Sequence, residues 1–416
     1  MTDVERSVRV RDHVRLMVFI LIGNLGIYAF AVAVPGYLLP ASVQDIVGTG
    51  ATTSAANLAL ITMVGSFAAM IAQPVAGLVS DRTRSRFGRR APYLLGGALV
   101  GGVAMIGLGS ANSILLLTVF WTVVQISYSF TQAPLAAVLP DRVPESIRGT
   151  FSTFAGLGLS IGATGGAVVG AGFVSNTAAG YLTFGGIVLV GVVLFVVFNP
   201  DRSSKGEPRE PFSSSTLLRT FWINPARYPD FAWAFLGRML LSLAYFMVTG
   251  YQLYILEHYI HVGSLDEAAS VAARLSIVTV IATIIGGAVA GPISDRIKRR
   301  RLPAVAAGVI YTLGLAVPLV MPNVTGMTIY SFLYGLGFGS YASTDMALMS
   351  EVLPSKEEHG RALGLLNVAV ALPQALGAGL AGLLVITTGS YTVLFPVGIV
   401  IALAGSFAVI RIKSVR

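Results

Sequence analysis

Between two long apolar runs lies Gly77-Leu78-Val79-Ser80-Asp81-Arg82-Thr83-Arg84-Ser85-Arg86-Phe87-Gly88-Arg89-Arg90-Ala91-Pro92. A second version, Gly291-Pro292-Ile293-Ser294-Asp295-Arg296-Ile297-Lys298-Arg299-Arg300-Arg301-Leu302-Pro303, follows at an offset of 214 residues. In each copy an aspartate closes an apolar segment and a basic run follows it. A carboxylate at the C-terminal end of a helix meets the negative end of the helix dipole and needs a positive partner. For Asp81 the candidates are Arg86, Arg89 or Arg90, or the N-terminus of a segment starting near Gly360. Gly77, one turn earlier, is expected to permit a close helix approach. The alternative is that these charges only orient the chain in a membrane.

The runs around this stretch are about 20 residues long, enough to cross a hydrocarbon core of roughly 30 Å. Hydrophobic residues make up 55% of the 416 and charged residues only 11%, with 47 glycines. Twelve spans are expected near 16–38, 57–80, 91–110, 114–139, 149–173, 179–198, 229–256, 267–294, 302–320, 325–352, 361–386 and 390–411. Of 28 Lys and Arg, 26 fall in the two tails and in every second connection. The alternate connections, near 38–57, 110–113, 174–179, 257–267, 321–325 and 388–391, contain none. By the positive-inside rule both termini are expected on the cytoplasmic side. The net charge of +9 is thus a topology signal and not a nucleic-acid surface. The first span follows Arg6, Arg9, Arg11 and Arg15 with no small-residue cleavage site, so it is read as retained. With no cysteine, disulfides are excluded.

The 214-residue offset extends beyond the quoted stretch. Gly23 answers to Gly237, Gly36-Tyr37 to Gly250-Tyr251, and Leu139-Pro140 to Leu353-Pro354. The expected organisation is a six-helix bundle over 1–200, a polar linker over 201–228 and a second six-helix bundle over 229–416. Internal duplication of this kind characterises carriers that place a substrate between repeats.

Gly77, Asp81, Arg82, Arg86, Gly88, Arg89 and Arg90, with Gly291, Asp295 and Arg296, resemble the gating signature of the major facilitator superfamily. The long first form is similar to that of the glycoside–pentoside–hexuronide cation symporters and the sucrose-type carriers. Further similarity lies in Ala133-Pro134-Leu135, Leu139-Pro140-Asp141, Pro144-Glu145, Arg148-Gly149, Asp345-Met346-Ala347-Leu348 and Leu372-Pro373-Gln374. The resemblance implies an all-α membrane protein of twelve helices in two pseudo-symmetric bundles. It also implies alternating-access transport in a prokaryotic cytoplasmic membrane, and a cytoplasmic latch at the quoted motif. Sodium-coupled members carry acidic residues in the middle of spans two and four, whereas Leu58–Ser80 and Ile114–Leu139 hold none.

Three ionisable groups lie within the expected membrane depth, Arg238, Arg274 and Asp345. Arg274 is close enough to one end to snorkel. Arg238 is eight residues into span seven, roughly 12 Å from the cytoplasmic end. Asp345 is nine residues before Pro354, so the two share a depth. The superfamily resemblance puts spans one, four, seven and ten around a central cavity, where the pair is expected to meet. Arg238, Ser242, Tyr245, Thr249 and Gln252 form one helical stripe on span seven. Tyr334, Tyr341 and Asp345 share a face of span ten. Gln125, Tyr128 and Gln132 do so on span four, and Asn24 and Tyr28 on span one. Asn24 and Thr131 are the repeat-mates of Arg238 and Asp345.

Amides, phenols and hydroxyls in this pattern suit a hydroxyl-rich ligand such as a sugar. They equally serve hydrogen bonds between helices. No cofactor is expected. Asp345 is the one deep carboxylate, so if transport is ion-coupled a proton is the expected ion, with uniport or exchange as the alternatives. A monomer binding a small molecule in a lipid bilayer is the expected working form. His258, His261 and Glu257 lack a fourth ligand, so no metal site is expected. Neither a Walker loop nor a nucleophile–base pair is present, which argues against a pump or an enzyme. A drug or lipid exporter of the same fold, or a membrane sensor that does not transport, remain the alternatives.

Overall fold

The computed structural model describes residues 3–144, 147–205, 227–297, 301–352 and 359–412. Their regular structure is helical. Eleven of the helices are long and apolar enough to cross a membrane. Span ten, Val324–Val352, is equally long but is not among those eleven. Its glycines, tyrosines, serines and threonines dilute the apolar content, a first sign that it faces something other than lipid.

Observed boundaries depart from the expected ones at two informative places. The first span runs from Asp3–Ala33 through a π turn, Val34–Leu38, into Leu39–Val47. Pro35 stands in that turn, where its missing N–H removes one donor from the helical ladder. Span seven stops at Thr249, capped by Gly250, and a separate helix Gln252–His258 follows. The continuous segment expected over 229–256 is therefore broken at its repeat-matched Gly-Tyr.

The chain forms two compact units, Met1–Ile46 with Val64–Pro211, and Val47–Met63 with Phe212–Arg416. The expected halves differ from this at Val47–Met63, the outer part of span two (Ala51–Arg82). Its carbonyls explain why it belongs to the second unit. Tyr251 donates to Ala55 O at 3.2 Å and Ala378 O at 3.0 Å, and Tyr391 donates to Ala51 O at 2.9 Å. Of the expected linker, residues 206–226 lie outside the described residues.

In the first unit, span five (Arg148–Ala171) packs along span one through a glycine every fourth residue. A side chain at Gly158, Gly162, Gly166 or Gly170 would strike Leu21, Leu25, Ala29 or Ala33. Small residues let the backbones close where lipid supplies no hydrophobic drive for association. Phe151, Phe195, Ile27 and Val138 fill the core beside that seam.

The second unit uses the same device around span ten. Gly335 and Gly339 lie against Thr279 and Thr283 of span eight (Leu265–Ile297). Gly337 lies against span nine (Arg301–Val320), where an added Cβ would be 2.8 Å from Ala307 O and 3.1 Å from Tyr311 Cβ. Span ten is thus clamped closely by eight and nine, and Tyr311 is carried to its face.

Candidate functional site: a tyrosine-lined cavity and an arginine hub

Arg238 on span seven (Pro229–Thr249) and Asp345 on span ten meet inside the second unit. Arg238 NH1 is 2.5 Å from Asp345 Oδ2, and the aspartate side chain is only 6% exposed. A charge pair this far from water needs near-complete hydrogen bonding, because desolvating each ion costs several kcal/mol. Here the pairing is incomplete. Asp345 Oδ1 is buried and accepts no hydrogen bond from the described residues.

The pair forms one end of a cavity of about 330 Å³. Six of its other lining residues are aromatic, namely Tyr245, Phe246, Tyr311, Tyr334, Phe338 and Tyr341. Tyr245 stacks on Tyr334 at 5.2 Å and on Phe338 at 5.2 Å, and Tyr311 packs on Tyr334 at 5.2 Å. The buried hydroxyls of Tyr311, Tyr334 and Tyr341 find no aligned partner among the described residues, although Tyr341 lies beside the Asp345 carboxyl. The site thus combines apolar ring faces, unsatisfied hydroxyls and one neutralised charge pair. Such a surface recognises a ligand with both hydroxyls and apolar C–H faces.

The structure gathers only part of the expected polar set here. Arg238, Ser242, Tyr245, Tyr341 and Asp345 line the cavity. Gln252 does not, because the break at Gly250 ends the stripe, and Thr249 turns its hydroxyl back to Tyr245 O. The remaining residues belong to the first unit. Asn24 donates to Ile20 O, Tyr128 donates to Ile27 O, and Tyr28 faces Gln132. Gln125 stands on span four (Ile114–Arg142) next to Gly65. Tyr311, Phe246, Phe338 and Gly337 line the cavity but were not singled out from the sequence. Phe246 and Phe338 read as lipid-facing or core residues, and a lone tyrosine on span nine carries no periodic signal.

At the motif, Arg90 is the candidate that the described residues show paired with Asp81. Arg90, 7% exposed in its side chain, reaches Asp81 Oδ1 at 2.5 Å and Asp141 Oδ2 at 2.8 Å. It also donates to Ser80 Oγ at 2.6 Å. Arg86 instead lies over the Phe87 ring at 4.6 Å. The turn before Arg90 depends on Gly88, whose φ of 86° few side chains tolerate. A Cβ there would strike Asp201. Asp201 in turn accepts from Arg90 N–H at 3.0 Å and from Arg142 at 2.6 Å. Ser204 closes the arrangement by donating its hydroxyl to Thr83 O and its N–H to Ser85 O.

Among the described residues, no atom lies within 4 Å of where a side chain on Gly77 or on Gly291 would begin. The side chain of Asp295 and those at the start of span eleven lie outside the described residues. Arg296 is exposed, and Arg82 and Arg89 are partly buried at the motif.

The family model of the Major Facilitator Superfamily matches residues 21–354 and again 235–415. The chain belongs to the Major Facilitator Superfamily. Among curated relatives, this superfamily member is 24% identical over 286 residues to the lactose permease of Leuconostoc lactis, covering 62% of its own length. It spans only 45% of the length of that permease. A 57-residue stretch, 14% of the chain, is 39% identical to the general alpha-glucoside permease of Schizosaccharomyces pombe and covers 10% of that protein. The superfamily fold is evident in solved structures as well. The nucleoside transporter NupG has a TM-score of 0.76 at 13% identity, covering 96% of this chain and 99% of its own. The D-xylose-proton symporter has 0.69 at 13%, covering 97% and 98%.

Proposed function

We propose that this protein is a secondary transporter for a sugar or a similar hydroxyl-rich solute, coupled to a proton through Asp345. The observation that carries this reading is the Arg238–Asp345 pair at the end of a cavity whose tyrosine hydroxyls lack partners. Ligand hydroxyls satisfy those phenols and Asp345 Oδ1, while ring faces pack the C–H surface of a sugar. Protonation places an O–H on the carboxyl and dissolves the ion pair, leaving the Arg238 charge without its counter-ion. Proton binding and ligand binding therefore alter the same contact, which is the requirement for coupling them.

The distribution of Lys and Arg supports cytoplasmic termini in the cytoplasmic membrane of a prokaryote, and six spans to each half support a monomeric working unit. The superfamily relatives named lactose permease and alpha-glucoside permease add to the sugar reading. A second reading, export of an amphiphile, rests on the ring-rich walls formed by Phe246, Phe338 and Leu241. The unsatisfied hydroxyls favour the sugar, because an apolar ligand would leave them unsatisfied.

The test is uptake into proteoliposomes containing the purified full chain. Lactose, maltose and D-xylose are each offered with and without an inward proton gradient, and Asp345→Asn is run alongside. The reading expects gradient-driven accumulation of at least one saccharide, lost in the variant. Accumulation that survives Asp345→Asn removes the coupling role, and failure of every saccharide removes the sugar assignment.

A further inference from the structure

The tyrosines of span ten extend beyond what a ligand in the cavity accounts for. Tyr330, Tyr334, Tyr341 and Asp345 follow one another at steps of four, seven and four residues, which keeps them on one helical face. Tyr330 packs on Tyr334 with ring centroids 5.6 Å apart, and Tyr311 joins from span nine at 5.2 Å. Every member of this column has a buried polar atom with no partner among the described residues, ending in Asp345 Oδ1. Buried polar groups are nearly always partnered, so five such atoms, four on this face and one from span nine, call for a shared reason. Core packing supplies none, since phenylalanine fills the same space without a buried hydroxyl. Ligand binding supplies only part of one, because Tyr330 is not among the residues that line the cavity.

Resting on the proton-coupled reading above, we infer that this column is the hydrated path by which a proton reaches Asp345. The path starts near Tyr330, six residues into span ten from Val324. That end is the one the positive-inside rule assigns to the exterior. From Tyr330 to Asp345 the helix rises about 22 Å, at 1.5 Å per residue over 15 residues. Tyrosines one turn apart are separated by about two hydrogen bonds, so a single water bridges neighbouring hydroxyls. In each hop a hydroxyl oxygen accepts a proton from behind and releases its own ahead, so no tyrosine changes its net charge. The last hop forms the O–H bond at Asp345 Oδ1 and ends the ion pair that Oδ2 makes with Arg238. The seven-residue step between Tyr334 and Tyr341 passes Gly337 and Phe338, both of which line the cavity. Water or a ligand hydroxyl in the cavity completes the path at that step.

The test needs no ligand. Full-length protein in lipid nanodiscs is given a jump from pH 8 to pH 4.5, and the carboxyl infrared band that Asp345→Asn abolishes is followed in time. Tyr330→Phe should slow the appearance of that band about 10²- to 10⁴-fold, the range for losing one positioned proton-transfer group. Its titration midpoint should not move, because Tyr330 does not touch the carboxyl. Tyr330→His, which can carry a proton, should recover much of the rate. An unchanged rate in Tyr330→Phe with the band intact overturns the path and leaves the coupling role of Asp345 standing. A moved midpoint, or no recovery in a Tyr330→His protein that melts as the wild type does, assigns Tyr330 to structure and also overturns the path. Absence of any Asp345-dependent band overturns the coupling reading beneath it.

Discussion

The same two scaffold positions behave differently in the two halves of the molecule. In the first, Asn24 donates to Ile20 O and Thr131 donates to Ser127 O, each one turn back on its own helix. In the second, at the matched positions, Arg238 and Asp345 reach across from span seven to span ten and pair at 2.5 Å. Short neutral side chains can satisfy themselves on a local carbonyl, even in an apolar bundle. A buried charge cannot, so it fixes the relation between two helices. The duplicated scaffold is therefore neutral where its polar groups turn inward to their own helix, and charged where they cannot.

The most severe break of this comparison is to leave one charge alone. Arg238→Met or Asp345→Leu should each lower the unfolding free energy by about 3–5 kcal/mol, read by denaturant unfolding in detergent. The double change Arg238→Asn with Asp345→Thr copies the first half into the second. It should recover most of that loss while abolishing proton-driven uptake. If the double variant is as unstable as either single one, the pair is not a replaceable insert in a shared scaffold.

A smaller effect is expected at Gly88, whose place in a turn differs from that of its repeat-mate. Gly88 has a left-handed φ and Asp201 against it, whereas its repeat-mate Leu302 stands inside the helix of span nine. Gly88→Ala should cost about 1–3 kcal/mol through backbone strain and displacement of Asp201. Asp201→Asn should share part of that loss, since it removes the charge that holds Arg142. Substitution of Leu302 by Ala should cost less than about 0.5 kcal/mol at its exposed site. Melting curves of the three variants give the order directly.

Within the second half the cavity hydroxyls can be separated from the packing around them. Tyr334→Phe keeps the rings stacked and removes one buried unsatisfied hydroxyl. It should leave the ligand-free protein unchanged or stabilised by up to about 1 kcal/mol, yet weaken saccharide binding. Loss of stability would mean that the hydroxyl is already satisfied within the fold.

The smallest effect lies outside the membrane. The His258 ring stacks on Tyr391 at 5.6 Å, and its Nε2 is 3.5 Å from Glu257. Burial lowers its pKa from the usual 6.5, outweighing the attraction of Glu257, and His261 adds to the lowering. The neutral form is thus favoured in the folded state. Its stability contribution is fully present above about pH 6.5 and is lost as pH falls through the lower folded value. Thermal melting between pH 7.5 and 5 should show this slope, and His258→Gln should flatten it.

Much of this arrangement was legible before any coordinates. The 1.5 Å rise placed Arg238 and Asp345 at one depth, and a lone pair of opposite charges in an apolar setting has few other partners. The stripe on span seven brings Ser242 and Tyr245 to the cavity wall, whereas Gln252 lies beyond the Gly-Tyr step that ends the helix. Tyr311 was invisible, since its place at the cavity follows from Gly337 letting span nine close on span ten. The arginine run pointed to a partner for Asp81 without choosing one. Arg90 takes that place because Gly88 turns the chain and Asp201 holds the Arg90 N–H.

The amino-acid order alone therefore determined the spans, their orientation signal, the duplication and the residues too charged to face lipid. These follow from local properties, namely the length of an apolar run, the period of a helix and the solvation of a charge. Tertiary structure alone determined which arginine became the hub, which tyrosines enclose the cavity, and that Val47–Met63 belongs with the second unit. Those outcomes depend on how closely two backbones approach, and that distance is set by pairs of residues far apart in the chain.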